Sequence, residues 1–262
     1  MREHYPPGPL ALGRYAVASL TLLPVWWWRG RRRPRPAELP GLALTGVLGF
    51  TVYNLCVNAA EQSVPAGTAA LVVTCIPVLT TLGAVLCFGE RLNVVGWLGV
   101  VVACAGAGLI HRGAPQGPAA GHGVLLLGVA ALSATGYNLL SKRYLARYAA
   151  LDVTTWAIWA GTLGALPFGR ALPAAVAAAP PRATLTVVAL GVVPAALCYT
   201  LWAWLTARRP LARLANLLFL VPVNAVLLGA ALLDEAPSGW ALLGGLVVVG
   251  GVTLVGRSGR RV

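Results

Sequence analysis

The hydrophobic residues of this chain lie in long runs, separated by short stretches that contain charge, proline or glycine. A membrane-spanning helix needs roughly 20 apolar residues to cross a hydrocarbon core of ~30 Å, and nine runs have about this length. Because the runs do not alternate between polar and apolar positions, they predict helices and not the strands of a membrane barrel. The predicted spans are residues 9–28, 39–60, 66–88, 93–110, 121–140, 151–169, 183–205, 211–233 and 238–256.

The composition indicates that the solvent around these helices is lipid. Of the 262 residues, 58% are hydrophobic and 10% are charged, whereas soluble proteins carry about 25% charged residues. So few charges cannot cover the surface of a water-soluble protein, and disordered chains are poor in apolar residues. We therefore predict an all-α, polytopic membrane protein with nine transmembrane helices and the lipid bilayer as a partner.

The net charge of +13 comes from basic residues that cluster between the apolar runs. This pattern is typical of the loops of a membrane protein and not of a nucleic-acid groove, so we expect no nucleic-acid partner. Fifteen basic residues fall in the loops on one side of the predicted spans, and four fall on the other side. Because basic loops remain in the cytoplasm, we predict a cytoplasmic C-terminus, with residue 1 outside.

The two halves of the chain match each other at an offset of 145 residues without gaps. This register aligns Pro77 with Pro222 and Glu90 with Glu235, and it pairs spans two to four with spans seven to nine. The paired spans are five apart, an odd number, so matching helices cross the membrane in opposite directions. The sequence therefore predicts two inverted repeats, a recurring architecture of secondary transporters. They cover residues 9–110 and 121–256.

The fifth predicted span, residues 121–140, has no partner in this register. Its counterpart would lie before residue 1, so the first repeat is expected to lack one helix. Two explanations are open: the chain starts at an internal methionine of a ten-helix protein, or the ancestral first helix was lost. We favour the shortened start.

Several short motifs resemble those of the EamA-type transporters of the drug/metabolite transporter superfamily. In the first half they are Gly13-Arg14-Tyr15, the run from Ala69 to Arg91 with Pro77 and Phe88-Gly89-Glu90-Arg91, then Gly96-Trp97-Leu98-Gly99 and Gly106. In the second half they are Pro222, Asp234-Glu235, Trp240 and Gly244-Gly245. The resemblance implies an inner-membrane protein of ten helices, with both termini cytoplasmic, that exports small metabolites. The helix missing here contributes to the central cavity of the family.

The reactive side chains do not favour an enzyme. The three histidines lie in loops, and the chain has no H-E-x-x-H, no G-x-S-x-G and no cysteine–histidine spacing typical of a metal site. The five cysteines lie in apolar runs and are interpreted as packing residues. All carboxylates lie at span ends or in loops, which disfavours coupling to protons or sodium. We predict no enzymatic activity, no metal and no cofactor.

Polar residues inside the spans are the candidate substrate ligands. Pro77 and Pro222 lie near the middle of equivalent spans, where a proline frees a carbonyl and bends the helix. Side-chain amides and hydroxyls inside lipid must face protein or a wet cavity; the alternative role is hydrogen bonding between helices. The predicted substrate-binding residues are Tyr53, Asn54, Asn58, Thr74, Pro77, Tyr137, Asn138, Asn216, Pro222 and Asn224.

Charged and small residues in or near the spans lead to three further expectations. Arg14, inside the first span, is expected either to snorkel to the outer surface or to pair, and we favour snorkelling. Glu90 and Glu235 are gate residues or helix-end charges; we favour the second, with Arg91 as the partner of Glu90. A close-packing helix face is predicted from small residues that recur every four positions, Gly99, Ala103 and Ala107.

Together these features predict an EamA-like transporter that exports a small metabolite, amino-acid or drug-like, by alternating access. Its partners are then the lipid bilayer and a small-molecule substrate. The alternative is a truncated, non-transporting membrane protein or a partner subunit, whose helices fold without a working cavity.

Overall fold

The computed structural model describes residues 5–29, 33–64, 74–112, 121–233 and 238–257. Within these ranges the regular structure is helical, and no strand occurs. Helices satisfy their own backbone hydrogen bonds, which lipid cannot do for them. The predicted all-α class is therefore confirmed.

Thirteen α-helices make up the described chain, joined in places by other helical turns. In chain order they are α1 (Pro7–Trp28), α2 (Leu39–Gly46), α3 (Tyr53–Ala60), α4 (Cys75–Phe88), α5 (Val94–Arg112), α6 (Gly121–Leu145), α7 (Ala150–Ala165), α8 (Leu172–Ala178), α9 (Pro181–Leu190), α10 (Tyr199–Arg208), α11 (Leu211–Ala215), α12 (Leu220–Leu233) and α13 (Gly239–Arg257). The short 3₁₀ segments are Pro36–Glu38, Leu166–Gly169 and Asn216–Phe219. Two π-helical segments, Val47–Val52 and Gly191–Cys198, connect α2 to α3 and α9 to α10.

Six helical stretches of the described residues are long and apolar enough to cross a membrane. They are Pro7–Trp28, Pro36–Ala60, Val94–Arg112, Gly121–Leu145, Pro181–Arg208 and Gly239–Arg257. Two further apolar helices, Cys75–Phe88 and Leu211–Asn224, are shorter. The chain is a polytopic membrane protein. The count of nine spans stays a prediction, since part of the predicted span 66–88 lies outside the described residues.

Packing divides the chain into two compact units. Unit 1 comprises residues 1–59 and 136–208, and unit 2 comprises residues 60–135 and 209–262. Each unit therefore takes helices from both halves of the chain. The predicted repeats are defined by sequence similarity, whereas units 1 and 2 are defined by contacts in the structure. The boundaries of the repeats and of the units therefore differ, and the units do not test the repeats.

In unit 1 the backbones of α7 and of the α2 region approach closely because glycine lies at the contact. A Cβ atom on Gly161 would lie 2.5 Å from the Cβ of Phe50 and 2.8 Å from the carbonyl oxygen of Gly46. A Cβ on Gly46 would collide with the carbonyl oxygen of Ala157. Small residues are how membrane helices reach such short separations. The buried ring of Phe50 thereby reaches the core of the unit.

In unit 2 the helices α5 and α13 also approach closely because glycines lie at their contact. A Cβ on Gly106 would lie 2.8 Å from the carbonyl oxygen of Gly244, and a Cβ on Gly251 would lie 2.7 Å from that of Gly99. Val248 fills the space between these two contacts and belongs to the buried core of the unit. The close-packing face predicted on α5 is confirmed.

The two π-helical segments occupy equivalent places in the chain. A shift of 145 residues moves Val47–Val52 into Gly191–Cys198. The second segment contains Pro194, which has no N–H to donate to a regular helix. Because π-helical turns are rare and concentrate at functional sites, these segments direct attention to the side chains beside them.

Candidate functional site

Four aromatic rings form the centre of unit 1, each from a different helical element. The ring of Phe50, on the first π-helical segment, lies 5.1 Å from Tyr15, 5.3 Å from Tyr137 and 4.9 Å from Tyr199, measured between ring centroids. The pairs are edge-to-face, the arrangement that aromatic quadrupoles favour. This aromatic cluster fixes the position of the elements that carry the polar groups.

A polar network adjoins the aromatic cluster and centres on Asn54, which is buried in α3. Its Nδ2 donates to the hydroxyl oxygen of Tyr15 at 2.5 Å and to the backbone oxygen of Phe50 at 3.2 Å. Its Oδ1 accepts a hydrogen bond of 3.4 Å from Nη1 of Arg14. All four hydrogen-bonding groups come from elements predicted to lie within the membrane. Of the two expectations for Arg14, the structure supports pairing, here with Asn54, and not snorkelling to the outer surface.

The other predicted site residues of unit 1 lie close to this network or to the aromatic cluster. Asn58 lies one turn after Asn54 and donates to the backbone oxygen of Pro7 at 3.4 Å. Asn138 is buried and accepts a 3.1 Å hydrogen bond from Nε1 of Trp202. Tyr53 is half-buried. Five of the ten predicted residues thus belong to unit 1: Tyr53, Asn54, Asn58, Tyr137 and Asn138.

In unit 2 the polar centre is Asn216, which is fully buried. Its Nδ2 donates to Oγ1 of Thr81 at 3.3 Å and to the backbone oxygen of Ala212 at 2.6 Å. Thr81 also donates to the same Ala212 oxygen at 3.3 Å. Oδ1 of Asn216 is buried and makes no hydrogen bond to any residue that the structure describes. An unsatisfied buried acceptor is unusual.

Both predicted prolines lie at the third residue of a helix. Pro77 is buried in α4, and Pro222 is half-buried in α12. The 3₁₀ segment Asn216–Phe219 interrupts the helix one turn before Pro222, where a proline removes a backbone donor. Thr74 precedes α4 and is half-buried. Asn224 is exposed and donates to the backbone oxygen of Leu220 at 3.0 Å.

Three residues of the aromatic cluster were not predicted from the sequence: Tyr15, Phe50 and Tyr199. The repeat contains a signal for one of them, because the 145-residue register aligns Tyr199 with Asn54. The two residues therefore occupy equivalent places after the two π-helical segments. Thr81 was also missed, because threonines in an apolar run usually hydrogen-bond within their own helix.

Glu90 caps the beginning of α11. Its two carboxylate oxygens accept hydrogen bonds from the backbone N–H of Leu211 at 2.8 Å and of Ala212 at 2.7 Å. A carboxylate satisfies otherwise unpaired N–H groups there and interacts favourably with the helix dipole. The expectation that Arg91 is the partner of Glu90 is wrong, because the carboxylate binds the N-terminus of α11 instead. Glu235 lies outside the described residues.

Gly89 makes the turn that places Glu90 for this contact. It ends α4 with φ 62°, a left-handed conformation that disfavours a side chain by roughly 1–2 kcal/mol. We expect Gly89→Ala to destabilise the protein by about 1 kcal/mol, although no atom lies within 4 Å of the added Cβ. Thermal unfolding in detergent measures the effect.

Two other variants serve as controls for this prediction. Gly89→Asn is expected to lose less stability than the alanine variant, because asparagine tolerates the left-handed conformation. Gly108→Ala, at an uncrowded position of α5, is expected not to destabilise. Equal losses for alanine at the two glycines would contradict the conformational argument.

The two carboxylates described in unit 1 are engaged away from the polar network. Asp152, in the first turn of α7, is buried and accepts a 2.8 Å hydrogen bond from Nε1 of Trp26. Glu38 forms an ion pair of 2.6 Å with Arg147 and accepts a hydrogen bond from Tyr148. The guanidinium of Arg14 therefore has neither of these carboxylates as its counter-ion.

Neither a metal centre nor a disulfide is found in the part of the chain that the structure describes. No group of three or more His, Cys, Asp or Glu side chains in these ranges is close enough to hold a metal ion. The described cysteines form no disulfide with one another, and four of them are exposed. The polar groups described above are amides and hydroxyls in both units, with a guanidinium and the aromatic cluster in unit 1.

Comparison with known proteins assigns this architecture to a family. The model of the EamA-like transporter family matches residues 1–112 and 121–257. A "Probable terminal-alkyne amino-acid exporter" of Streptantibioticus cattleyicolor is 36% identical over 261 residues, which are 99% of this chain and 88% of that protein. The "Uncharacterized transporter YdfC" of Bacillus subtilis is 32% identical over 250 residues, which are 95% of this chain and 82% of that protein.

More distant relatives support the same family assignment. A "Probable amino-acid metabolite efflux pump" of Escherichia coli is 26% identical over 260 residues, which are 95% of this chain and 85% of that protein. A crystal structure that is 24% identical superposes with a TM-score of 0.77, covers 95% of this chain and 86% of its own, and supports the fold. The family is one of transporters rather than of enzymes. Matched by its family model over nearly its whole length, this multi-pass membrane protein belongs to the EamA-like transporter family.

Proposed function

We propose that this transporter exports a small amino-acid-like metabolite across the inner membrane by alternating access. The observation that carries the proposal is the similarity to the Streptantibioticus exporter over 99% of the chain. The Escherichia coli efflux pump, named for amino-acid metabolites, supports the same substrate class. Export down a concentration gradient, or exchange, fits a chain in which the predicted spans contain no carboxylate at mid-depth.

The architecture that we propose for this activity is the inverted repeat. Residues 9–110 and 121–256 form the two copies, and the C-terminus is cytoplasmic, as the basic loops favour. Two equivalent copies that cross the membrane in opposite directions can exchange conformations, which opens a shared site to one side and then to the other. The paired π-helical segments support this equivalence, because both copies interrupt the same helix.

The ten polar and proline residues predicted from the sequence are the binding residues of this proposal. Asn54 and Asn216 are the strongest candidates, because both are buried amides within apolar spans. Asn54 is linked to Arg14, and Oδ1 of Asn216 has no hydrogen-bond partner among the described residues. A substrate amine can donate to an amide oxygen of this kind, and hydrogen bonds from charged groups are the stronger ones.

Uptake into proteoliposomes tests the proposal. Purified transporter would be reconstituted and offered radiolabelled leucine, the terminal-alkyne amino acid propargylglycine, adenosine and glucose. We expect uptake of at least one of the two amino acids above protein-free liposomes, and none of the sugar. Asn54→Ala is expected to lower that uptake about tenfold, the effect of losing roughly 1.4 kcal/mol of binding.

The matched control is Thr253→Ala, because Thr253 is exposed and donates a hydrogen bond to the backbone oxygen of Val249 in its own helix. Its uptake rate is expected to equal that of the parent chain. Failure of a correctly inserted chain to transport either amino acid would contradict the proposed function. It would favour the alternative, a non-transporting membrane protein or partner subunit.

A further inference from the structure

Arg14 is a cation placed well inside a membrane-spanning helix. It lies seven residues after Pro7, the first residue of α1, which corresponds to about 10 Å along the helix axis. Its side chain is half-buried. A guanidinium at this depth is energetically costly unless it is paired, and intramembrane ionisable residues commonly contact a substrate or an ion.

The contacts of Arg14 with the described residues are all with neutral groups. Nη1 donates to Oδ1 of Asn54 at 3.4 Å, a long hydrogen bond, and the guanidinium carbon lies 5.7 Å from the ring centroid of Tyr15. Nε is buried and makes no hydrogen bond within the described ranges. Arg14 forms no ion pair with any described residue. The two described carboxylates of unit 1, on Glu38 and Asp152, have the other partners named above.

The surrounding hydrogen bonds hold the guanidinium in place but do not neutralise its charge. Both hydrogen bonds donated by Asn54 are taken by Tyr15 and Phe50, so its Oδ1 is directed at Arg14. Guanidinium presents five N–H groups in a planar fork that matches a carboxylate in a bidentate pair. Among the described residues one of the five donates a hydrogen bond, and this bond is long. Asn54 is thus a positioning residue for a cation whose Nε, at least, has no acceptor within the described ranges.

We propose that Arg14 binds the carboxylate of the exported metabolite, which defines the substrate class as amino acids and other small monocarboxylates. This inference rests on the proposed function and makes it more specific. The substrate supplies the anion that the described protein does not, so the arginine is paired when the site is loaded. Amides, esters and amines that lack the carboxylate are poor substrates for the same reason.

The test compares an amino acid with its amide, in which an uncharged group replaces the carboxylate, in the same protein. Uptake of propargylglycine and leucine would be measured beside propargylglycinamide and leucinamide, in proteoliposomes that hold the parent chain or Arg14→Gln. We expect the parent chain to prefer the acid by about 10- to 100-fold, the range for hydrogen bonds to charged groups. Arg14→Gln should lose most of this preference, while Arg14→Lys should retain part of it.

Asn54→Asp provides a second variant that keeps the arginine. The new carboxylate would pair with Arg14 within the protein and compete with the substrate, so the preference for the acid should fall although Arg14 is present. Arg29→Gln, just beyond the end of α1, is the control and should keep the preference of the parent chain. Thermal unfolding verifies that each variant is folded.

The outcomes separate this inference from the proposed function. If the parent chain transports neither amino acid, the proposed function fails and this inference fails with it. If it transports them but Arg14→Gln or Asn54→Asp keeps the full preference for the acid, only this inference is overturned. A loss of uptake that is equal for acid and amide would assign Arg14 a purely structural role and would also overturn it.

Discussion

Replacing Gly251 by alanine is expected to lower the free energy of unfolding by about 1–3 kcal/mol, the usual penalty for overpacking a core. The added Cβ would lie 2.7 Å from the carbonyl oxygen of Gly99 and would collide with the backbone nitrogen of Ala103. These are backbone atoms in the middle of α5, so they cannot rotate away as the tip of a side chain can. The two helices would have to separate, and their close contacts would be lost together.

The neighbouring residue provides a matched control. A Cβ on Gly250 has no atom within 4 Å, so Gly250→Ala changes the same residue type on the same helix without a collision. Thermal unfolding in one detergent, followed by tryptophan fluorescence, measures both variants against the parent chain. Equal stabilities of the two variants would contradict the packing that we describe for α5 and α13.

The second large effect is expected at Glu90. Removing its carboxylate with Glu90→Ala leaves the N–H groups of Leu211 and Ala212 without their acceptor, and Pro210, the N-cap residue of α11, offers no side chain to replace it. Hydrogen bonds to charged groups contribute about 1.5–3 kcal/mol each to stability, and solvent near the span end reduces this. We expect a loss of about 2 kcal/mol in unfolding measurements.

Two neighbouring variants test whether the capping geometry is responsible. Glu90→Gln keeps one oxygen acceptor without the charge, and it should lose less stability than Glu90→Ala. Arg91→Ala removes the exposed charge next to Glu90 and should leave stability unchanged. If Arg91→Ala were as destabilising as Glu90→Ala, the sequence-based pairing of these two residues would be right and the cap would be minor.

Hydrophobic length was sufficient to predict where most helices lie. The predicted span 93–110 corresponds to Val94–Arg112, and the predicted span 238–256 corresponds to Gly239–Arg257. Lipid imposes both the apolar character and the length of a spanning helix. The position and length of an apolar run in the sequence therefore predict the position and length of the helix. The boundaries of these two helices differ from the prediction by one or two residues, whereas α6 continues to Leu145, five residues past its predicted end.

Deviations from the regular helix could not be predicted in the same way. The predicted span 211–233 is broken by the 3₁₀ segment Asn216–Phe219, and the span 39–60 contains the π-helical segment Val47–Val52. Apolar runs do not distinguish between helices with different hydrogen-bonding patterns, because lipid requires only that each backbone N–H and C=O group has a hydrogen-bond partner. Pro222 is a local signal for the first of these interruptions, which lies one turn before it.

The candidate site was predictable as far as its residues are polar. Asn54 and Asn216 stand out because an amide in an apolar run requires a partner. Phe50 and Tyr199 do not stand out, since an aromatic residue in such a run serves equally well in a core or against lipid. The partner of Glu90 lies 121 residues away at Leu211, and no local pattern encodes a contact of that separation.

The π-helical segment Val47–Val52 gives its helix a tolerance to a change in length that a regular helix lacks. A π-helical turn holds one residue more than an α-helical turn, so a deletion of one residue there can be absorbed when the segment closes into a regular helix. Asn54 and Asn58 would then keep their directions toward Tyr15 and Pro7. A deletion in a regular helix such as α1 would instead turn every later position of that helix by about 100°.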